Sequence, residues 1–179
     1  MSDNYKKSIV IIGDGGHSKA CLDVINSITS YSISFGGKIN IGLVIPDSRT
    51  VTDGALKKLI KNGSVFFVAI GQIKYSLPRE MIVRRINKLG GQFATIISPR
   101  AYVSQTAGIG EGTIIMHNVV VNAYATVGRH CILNTGSIIE HEAKIGDFCH
   151  ISTGVVINGQ AVVNDRCFVG SNATIINNK

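Results

Sequence analysis

The second half of the chain repeats itself every six residues. Stepping by six meets Ile97, Val103, Ile109, Ile115, Val121, Val127, Leu133, Ile139, Ile145, Ile151, Ile157, Val163, Val169 and Ile175, all aliphatic and with no insertion. With apolar residues at 45% of sites, so long an unbroken run arises by chance on the order of once in 10⁵. A mostly small residue stands two places before each aliphatic, from Thr95 and Ala101 to Cys167 and Ala173. One bulky and one small residue per six describe a short strand and a corner. Three such sides close a triangular coil of 18 residues, and successive coils stack as parallel strands about 4.8 Å apart. The aliphatics fill the interior, and the small residues fit where the chain bends near the axis. Gly110, Gly128, Gly146 and Gly170, with Asn122, Asn134, Asn158 and Asn164, directly follow aliphatic positions and are expected to supply the turns.

The first half has a different rhythm. Ser8–Ile12 reads as a buried strand running into Gly13-Asp14-Gly15-Gly16-His17-Ser18-Lys19, with a helix beginning at Ala20. Ile39–Ile45 and Val65–Ile70 read as further strands, and Asp53–Lys61 and Pro78–Leu89 as helices, the second stopped by Gly90-Gly91. Phe93–Ile97 reads as a fourth strand leading into the column. Strands alternating with helices predict a small parallel sheet of Rossmann type. Ligands of such sheets bind at the carboxyl ends of strands, an edge that carries Gly13–Ser18, Asp47 and Gly71-Gln72. The glycines there permit a tight turn and close approach of a phosphate to helix-start N–H groups. The full dinucleotide pattern is incomplete, because Ser18 takes its last glycine place. The expected ligand is therefore a mononucleotide phosphate or a nucleotide sugar. Residues 1–96 are expected to form the Rossmann-like domain and residues 97–179 the column.

Charge separates the halves in the same way. Residues 1–96 hold 13 Lys+Arg against 6 Asp+Glu, and residues 97–179 hold 5 against 5. The basic half carries no aromatic-interleaved stripe, and Lys57, Lys58, Lys61, Arg84, Arg85 and Lys88 sit at helix-surface spacing, so no nucleic-acid partner is expected. No apolar run approaches a membrane span, and the five-residue run after MSDNYKK is too short for a signal peptide. A cytoplasmic protein with no membrane partner is expected. Cys131, Cys149 and Cys167 lie 18 residues apart. They fit stacked small positions of successive coils, as buried inert thiols.

Polar side chains on the column concentrate in Asn134–His150. His141 stands two places after an inward aliphatic and should point outward. Acyl transfer from a thioester needs a group to take the acceptor's proton, and imidazole suits that near neutral pH. Glu142 beside it can hold one ring nitrogen protonated and leave the other basic. Corner N–H groups could polarise the thioester carbonyl. A zinc site built from His117, His141 and His150 is disfavoured because their repeat phases differ, and no metal is expected.

GDGGHSK opening a short α/β domain, followed by a six-residue-repeat column with LNTGSIIEHEAKIGDFCHIS, resembles the hexapeptide-repeat sugar acetyltransferases. Within these the likeness is to sialic-acid O-acetyltransferases and to the bacillosamine-pathway UDP-amino-sugar N-acetyltransferases. The resemblance spans nearly the whole chain. It implies a left-handed parallel β-helix, a homotrimer and acetyl-CoA as co-substrate. It makes His141 the catalytic base and Glu142 the residue that raises its basicity, with Asn134 near the acceptor group. His150, Gly159 and Ser171 would line the acetyl-CoA cleft, and Gly15, Gly16, His17 and Ser18 would receive the sugar nucleotide's phosphates. The implied activity is N-acetylation of a nucleotide-linked amino sugar in bacterial glycan biosynthesis. O-acetylation of sialic acid or a related acidic sugar, and a non-catalytic sugar-nucleotide-binding trimer, are the alternatives. Where UDP-sugar-binding relatives often carry an Asp-Asp pair, this chain has the single Asp47. Its last residues stop part-way through a coil where relatives continue, which suggests a chain truncated at its C-terminus.

Overall fold

A computed structural model of the chain describes residues 8–28, 40–46 and 51–177. The chain forms two compact units, Met1–Gly71 with Leu77–Ala94, and Gln72–Ser76 with Thr95–Lys179. Among the described residues no helix is long and apolar enough to cross a membrane.

In the first unit, β1 (Ser8–Ile12), β2 (Asn40–Ile45) and β3 (Val65–Val68) form a parallel sheet in the order β2-β1-β3. Ile9, Val10, Ile11 and Ile12 of the central strand are all buried, as expected for a strand covered on both faces. The helices are α1 (Gly16–Ser27), α2 (Asp53–Lys61) and α3 (Leu77–Lys88). Thr52 caps α2, its hydroxyl accepting the Ala55 N–H at 3.2 Å. The lysines of α2 are exposed, and Arg85 pairs with Asp53 at 2.7 Å, so the basic runs form a solvated face. Two expectations are corrected. Helix α1 begins at Gly16, not Ala20, so Gly16, His17 and Ser18 lie in its first turn. Phe93–Ile97 is not one strand: Phe93 forms a single bridge to Phe66, whereas Ile96–Ile97 pairs with Ile114–Ile115. Partners in two different ladders divide it.

The second unit is the column. Fourteen two-residue strands, from Ile96–Ile97 to Thr174–Ile175, form three parallel faces. The first face stacks Ile96–Ile97, Ile114–Ile115, Ile132–Leu133, His150–Ile151 and Phe168–Val169. Tyr102–Val103 begins the second face and Gly108–Ile109 the third. Every pairing joins residues 18 apart, such as Ile132 with His150 and Lys144 with Val162. The ten repeat aliphatics from Ile115 to Val169 are buried, whereas Ile97 at the first coil is 40% exposed. Each full burial is worth about 1.5–3 kcal/mol, so these residues are the main stabilising term of the unit.

The corners set the backbone. Every sixth residue from Gly112 to Asn172 has positive φ, and eight of these eleven are not glycine, with φ between 55° and 64°. Such a conformation costs an L-residue about 1–2 kcal/mol. The N–H it turns along the column is used: Phe148 N–H donates to the Arg129 carbonyl at 2.8 Å, and Glu142 N–H to the Ala123 carbonyl at 3.0 Å. The left-handed residue stands three places after each aliphatic, so the glycines directly after the aliphatics do not supply it, which corrects the expectation. Gly110 and Gly128 are small because coils touch there. A Cβ on Gly110 would meet the Gly128 carbonyl at 2.6 Å, and one on Gly128 the Gly146 carbonyl carbon at 2.6 Å.

The small inward positions of the first face form a second stack. Thr113 Oγ1 donates to the Gly128 carbonyl at 2.9 Å, and the Cys131 and Cys149 thiols meet the Gly146 and Asn164 carbonyls at 3.0 Å. All four cysteines are free; Cys131 and Cys149 are buried and serve as small hydrogen-bonding fillers, whereas Cys167, expected to be buried with them, is only half-buried in the last coil.

Two stability measurements check this account. Gly128→Ala is expected to destabilise the column by roughly 2–4 kcal/mol through overpacking, whereas Gly170→Ala, whose added Cβ meets nothing within 4 Å, should leave thermal unfolding almost unchanged. The second concerns acid. Burial raises the Asp147 carboxyl, but hydrogen bonds from the Arg129 side chain and backbone, at 2.7 Å each, outweigh it and hold the group below its ordinary value. A carboxyl depressed in the folded state stabilises above its unfolded value, about 3.9, and that contribution fades as pH falls through the folded value. The Tm advantage of wild type over Arg129→Ala should be full near neutral pH and shrink below about pH 4.

Candidate active site

His141 and Glu142 form the corner between the second and third faces, and both side chains face outward, 58% and 52% exposed. Adjacent side chains on a strand point to opposite sides. Here the left-handed backbone of Glu142 (φ 59°) breaks that alternation, and the two neighbours meet, His141 Nδ1 lying 3.2 Å from Glu142 Oε2. An ionised carboxylate only accepts, so Nδ1 carries the proton and Nε2 is left as the basic nitrogen. A hydrogen bond from Gln160, and then the contact with His141, hold the Glu142 carboxyl below its ordinary value. The carboxylate therefore stays ionised where imidazole titrates.

The next coil shapes the ring's seat. Gly159 follows His141 by eighteen residues, and a Cβ there would lie 2.7 Å from Nε2 and 2.8 Å from Cε1. The glycine keeps the basic nitrogen uncovered. Gln160 Nε2 donates to Glu142 Oε2 at 3.2 Å, and Asn177 Nδ2 to the Gly159 carbonyl at 3.1 Å. Sequence reasoning missed Gln160. Adding 18 to Glu142 finds it.

Asn134 and His150 come together elsewhere, His150 on the first face and Asn134 at the corner that follows it in the preceding coil. His150 is buried, and its Nδ1 lies 2.6 Å from the Gln72 carbonyl, which can only accept. Nδ1 therefore carries the proton, and Nε2 accepts from Asn134 Nδ2 at 3.3 Å. The Phe168 ring meets the imidazole edge-on at 5.2 Å. Gln72 Nε2 in turn donates to the Arg166 carbonyl at 3.2 Å. Both nitrogens of His150 are thus engaged in clasping Gln72–Ser76 to the column. Ser171 is exposed, its hydroxyl 2.9 Å from that of Ser152. His117 Nδ1 lies 2.6 Å from Ser98 Oγ, so His117, His141 and His150 each have a separate partner. Among the described residues no group of three or more His, Cys, Asp or Glu could hold a metal.

In the first unit, Gly13 leaves β1 at φ 123°, where a Cβ would meet the Ala69 carbonyl oxygen at 2.8 Å. Both its conformation and its contact demand glycine. Ser18 is buried and closes the turn, its hydroxyl donating to the Gly13 carbonyl at 2.7 Å. Gly15 caps α1 without a side chain, and nothing stands near a Cβ on Gly15 or Gly16. A helix start leaves its first N–H groups without partners inside the helix, and no side chain of Gly15 or Gly16 stands over this one. His17 Nε2 instead turns along the helix to Cys21 Sγ at 3.4 Å. Burial pushes that thiol up to about 12, so it is inert. Asp47 lies outside the described residues.

Residues 8–86 match the PglD N-terminal domain, and residues 142–177 match the bacterial transferase hexapeptide repeat. The chain is 33% identical over 120 residues to the UDP-N-acetylbacillosamine N-acetyltransferase of Bacillus subtilis (strain 168), a match covering 62% of this chain and 51% of that protein. The chain thus spans about half the length of that curated relative. The acetyltransferase domain of PglB from Neisseria gonorrhoeae FA1090, in complex with acetyl coenzyme A, superposes with a TM-score of 0.73 at 23% identity, over 96% of this chain and 92% of that one. A mutant perosamine N-acetyltransferase from Caulobacter crescentus, in complex with CoA and GDP-perosamine, gives 0.64 at 24% identity, over 93% and 90%. The shared fold is a small α/β domain followed by a left-handed parallel β-helix.

The hexapeptide corner yields a direct check on the ring's seat. Gly159→Ala is expected to drive the His141 imidazole off its position and break the contact with Glu142. The nitrogen resonances of His141 report this, and unchanged resonances would contradict the steric account.

Proposed function

We propose that this protein transfers the acetyl group of acetyl-CoA to the amine of a nucleotide-linked amino sugar. The observation that carries the reading is the outward His141–Glu142 pair, with Nδ1 held by the carboxylate and Nε2 uncovered over Gly159. The amine nitrogen attacks the thioester carbonyl carbon, and Nε2 takes the proton the amine loses. The new C–N bond stays, the C–S bond breaks, and the departing CoA thiolate recovers the proton from the imidazolium. Glu142 offsets the positive charge on the ring between these transfers. No protein nucleophile is required, because the acceptor attacks directly.

The names of the relatives support an amine acceptor, since the curated relative and the perosamine enzyme are both N-acetyltransferases. The phosphates of the sugar nucleotide are assigned to the Gly13–Ser18 turn and the first-turn N–H groups of α1. Acetyl-CoA is assigned to the surface of Gly159 and Ser171. His150, buried and with its nitrogens already engaged, would act by holding Asn134 for the acceptor. A homotrimer would cover outward apolar residues of the column such as Tyr102, Val162 and Phe168, which are 59%, 48% and 38% exposed.

Acetyl-CoA turnover with a panel of nucleotide-linked amino sugars and sialic acids tests this reading. His141→Ala is expected to lower kcat by about 10²-fold or more, with little change in KM for either substrate. Equal turnover by the variant would remove His141 as base.

A further inference from the structure

The Glu142 oxygen that meets the imidazole has a second partner. Oε2 lies 3.2 Å from His141 Nδ1 and accepts a hydrogen bond from Gln160 Nε2, also at 3.2 Å. The backbone N–H of Gln160 donates to the His141 carbonyl at 3.0 Å. Gln160 is itself a left-handed corner residue (φ 62°), so its backbone is set by the repeat and its side chain starts from a fixed base. One residue of the next coil thereby holds both members of the pair, His141 by its main chain and Glu142 by its side chain.

The glutamate needs this support. Freezing the torsions of an exposed glutamate costs more than one exposed hydrogen bond returns. A second donor tips the balance toward the single rotamer that reaches Nδ1. The donor is also neutral. An amide orients the carboxylate without cancelling the negative charge that favours an imidazolium.

We propose that Gln160 is a positioning residue of this site, fixing the Glu142 carboxylate across the coil so that His141 keeps its proton on Nδ1 and presents Nε2. The consequence for rate rests on the acetyltransferase reading; the geometry of the pair does not.

Gln160→Met, of similar length but without a donor, tests it in the full chain. The expected loss in kcat is about tenfold, the worth of one hydrogen bond in the barrier, with KM values changed by less than about twofold. In a Glu142→Gln background the same substitution should cost nothing more, because no carboxylate remains to be positioned. Nitrogen NMR of His141 gives a reading independent of turnover: one Nδ1–H tautomer in wild type, and a mixture with the Nε2–H form in Gln160→Met. An unchanged tautomer population, or an equal loss of kcat in the Glu142→Gln background, overturns the proposal. If wild type turns over no acetyl-CoA with any acceptor, the acetyltransferase reading fails, and the tautomer measurement still decides the role of Gln160.

Discussion

From Asn118 to Asn172, each corner of the column places one residue in the left-handed region and spends its N–H on the coil beneath, as Phe148 does on Arg129 and Gln160 on His141. This hydrogen bond locks the 18-residue register. A chain turning corners with ordinary backbone would not aim these N–H groups along the axis, and the strands of two residues each are too short to fix the stacking alone. Once the register holds, every side chain has a defined neighbour above and below. Thr113, Cys131 and Cys149 become a stack of donors to corner carbonyls, and Gly110, Gly128 and Gly146 become a contact line with no room for a Cβ.

The candidate site is a by-product of the same register. Glu142 is a left-handed corner, which lets two sequence neighbours meet instead of facing opposite ways. The coil after it then supplies a glycine where the imidazole must lie and an amide where the carboxylate must be held. Each exposed contact alone is weak, because solvent screens it. What gives the arrangement definition is that the repeat has already fixed the backbones of His141, Glu142 and Gln160, so that only side-chain torsions remain to be ordered when they join.

Histidine 150 shows the same residue type put to another use. It lies inside a strand of the first face, where the backbone carbonyl of Gln72 and the amide of Asn134 take its two nitrogens. A ring so engaged anchors a crossing segment, whereas the exposed ring of His141 has one nitrogen held and one left for chemistry. In the α/β unit, Gly13 and Ser18 similarly spend their features on the turn itself, one as the only residue that fits and one as its clasp, while Gly15 and Gly16 bring no side chain to the helix start.

By itself the sequence determined the column, its inward aliphatics, the stacked cysteines and the outward His-Glu pair, because a six-residue period is a local property that survives without knowledge of any contact. It also showed the alternating strands and helices, whose apolar runs are written in single segments. Only the tertiary structure decided which residues carry the turns, since glycine after the aliphatic answers to the neighbouring coil and not to its own φ. It decided that Phe93–Ile97 divides between two ladders, because propensity does not say which partner a strand finds. It alone joined Gln160 to Glu142 and engaged His150 with Gln72, 18 and 78 residues apart. Hydrogen bonds of that kind depend on where side chains arrive, and a linear pattern records only where they start.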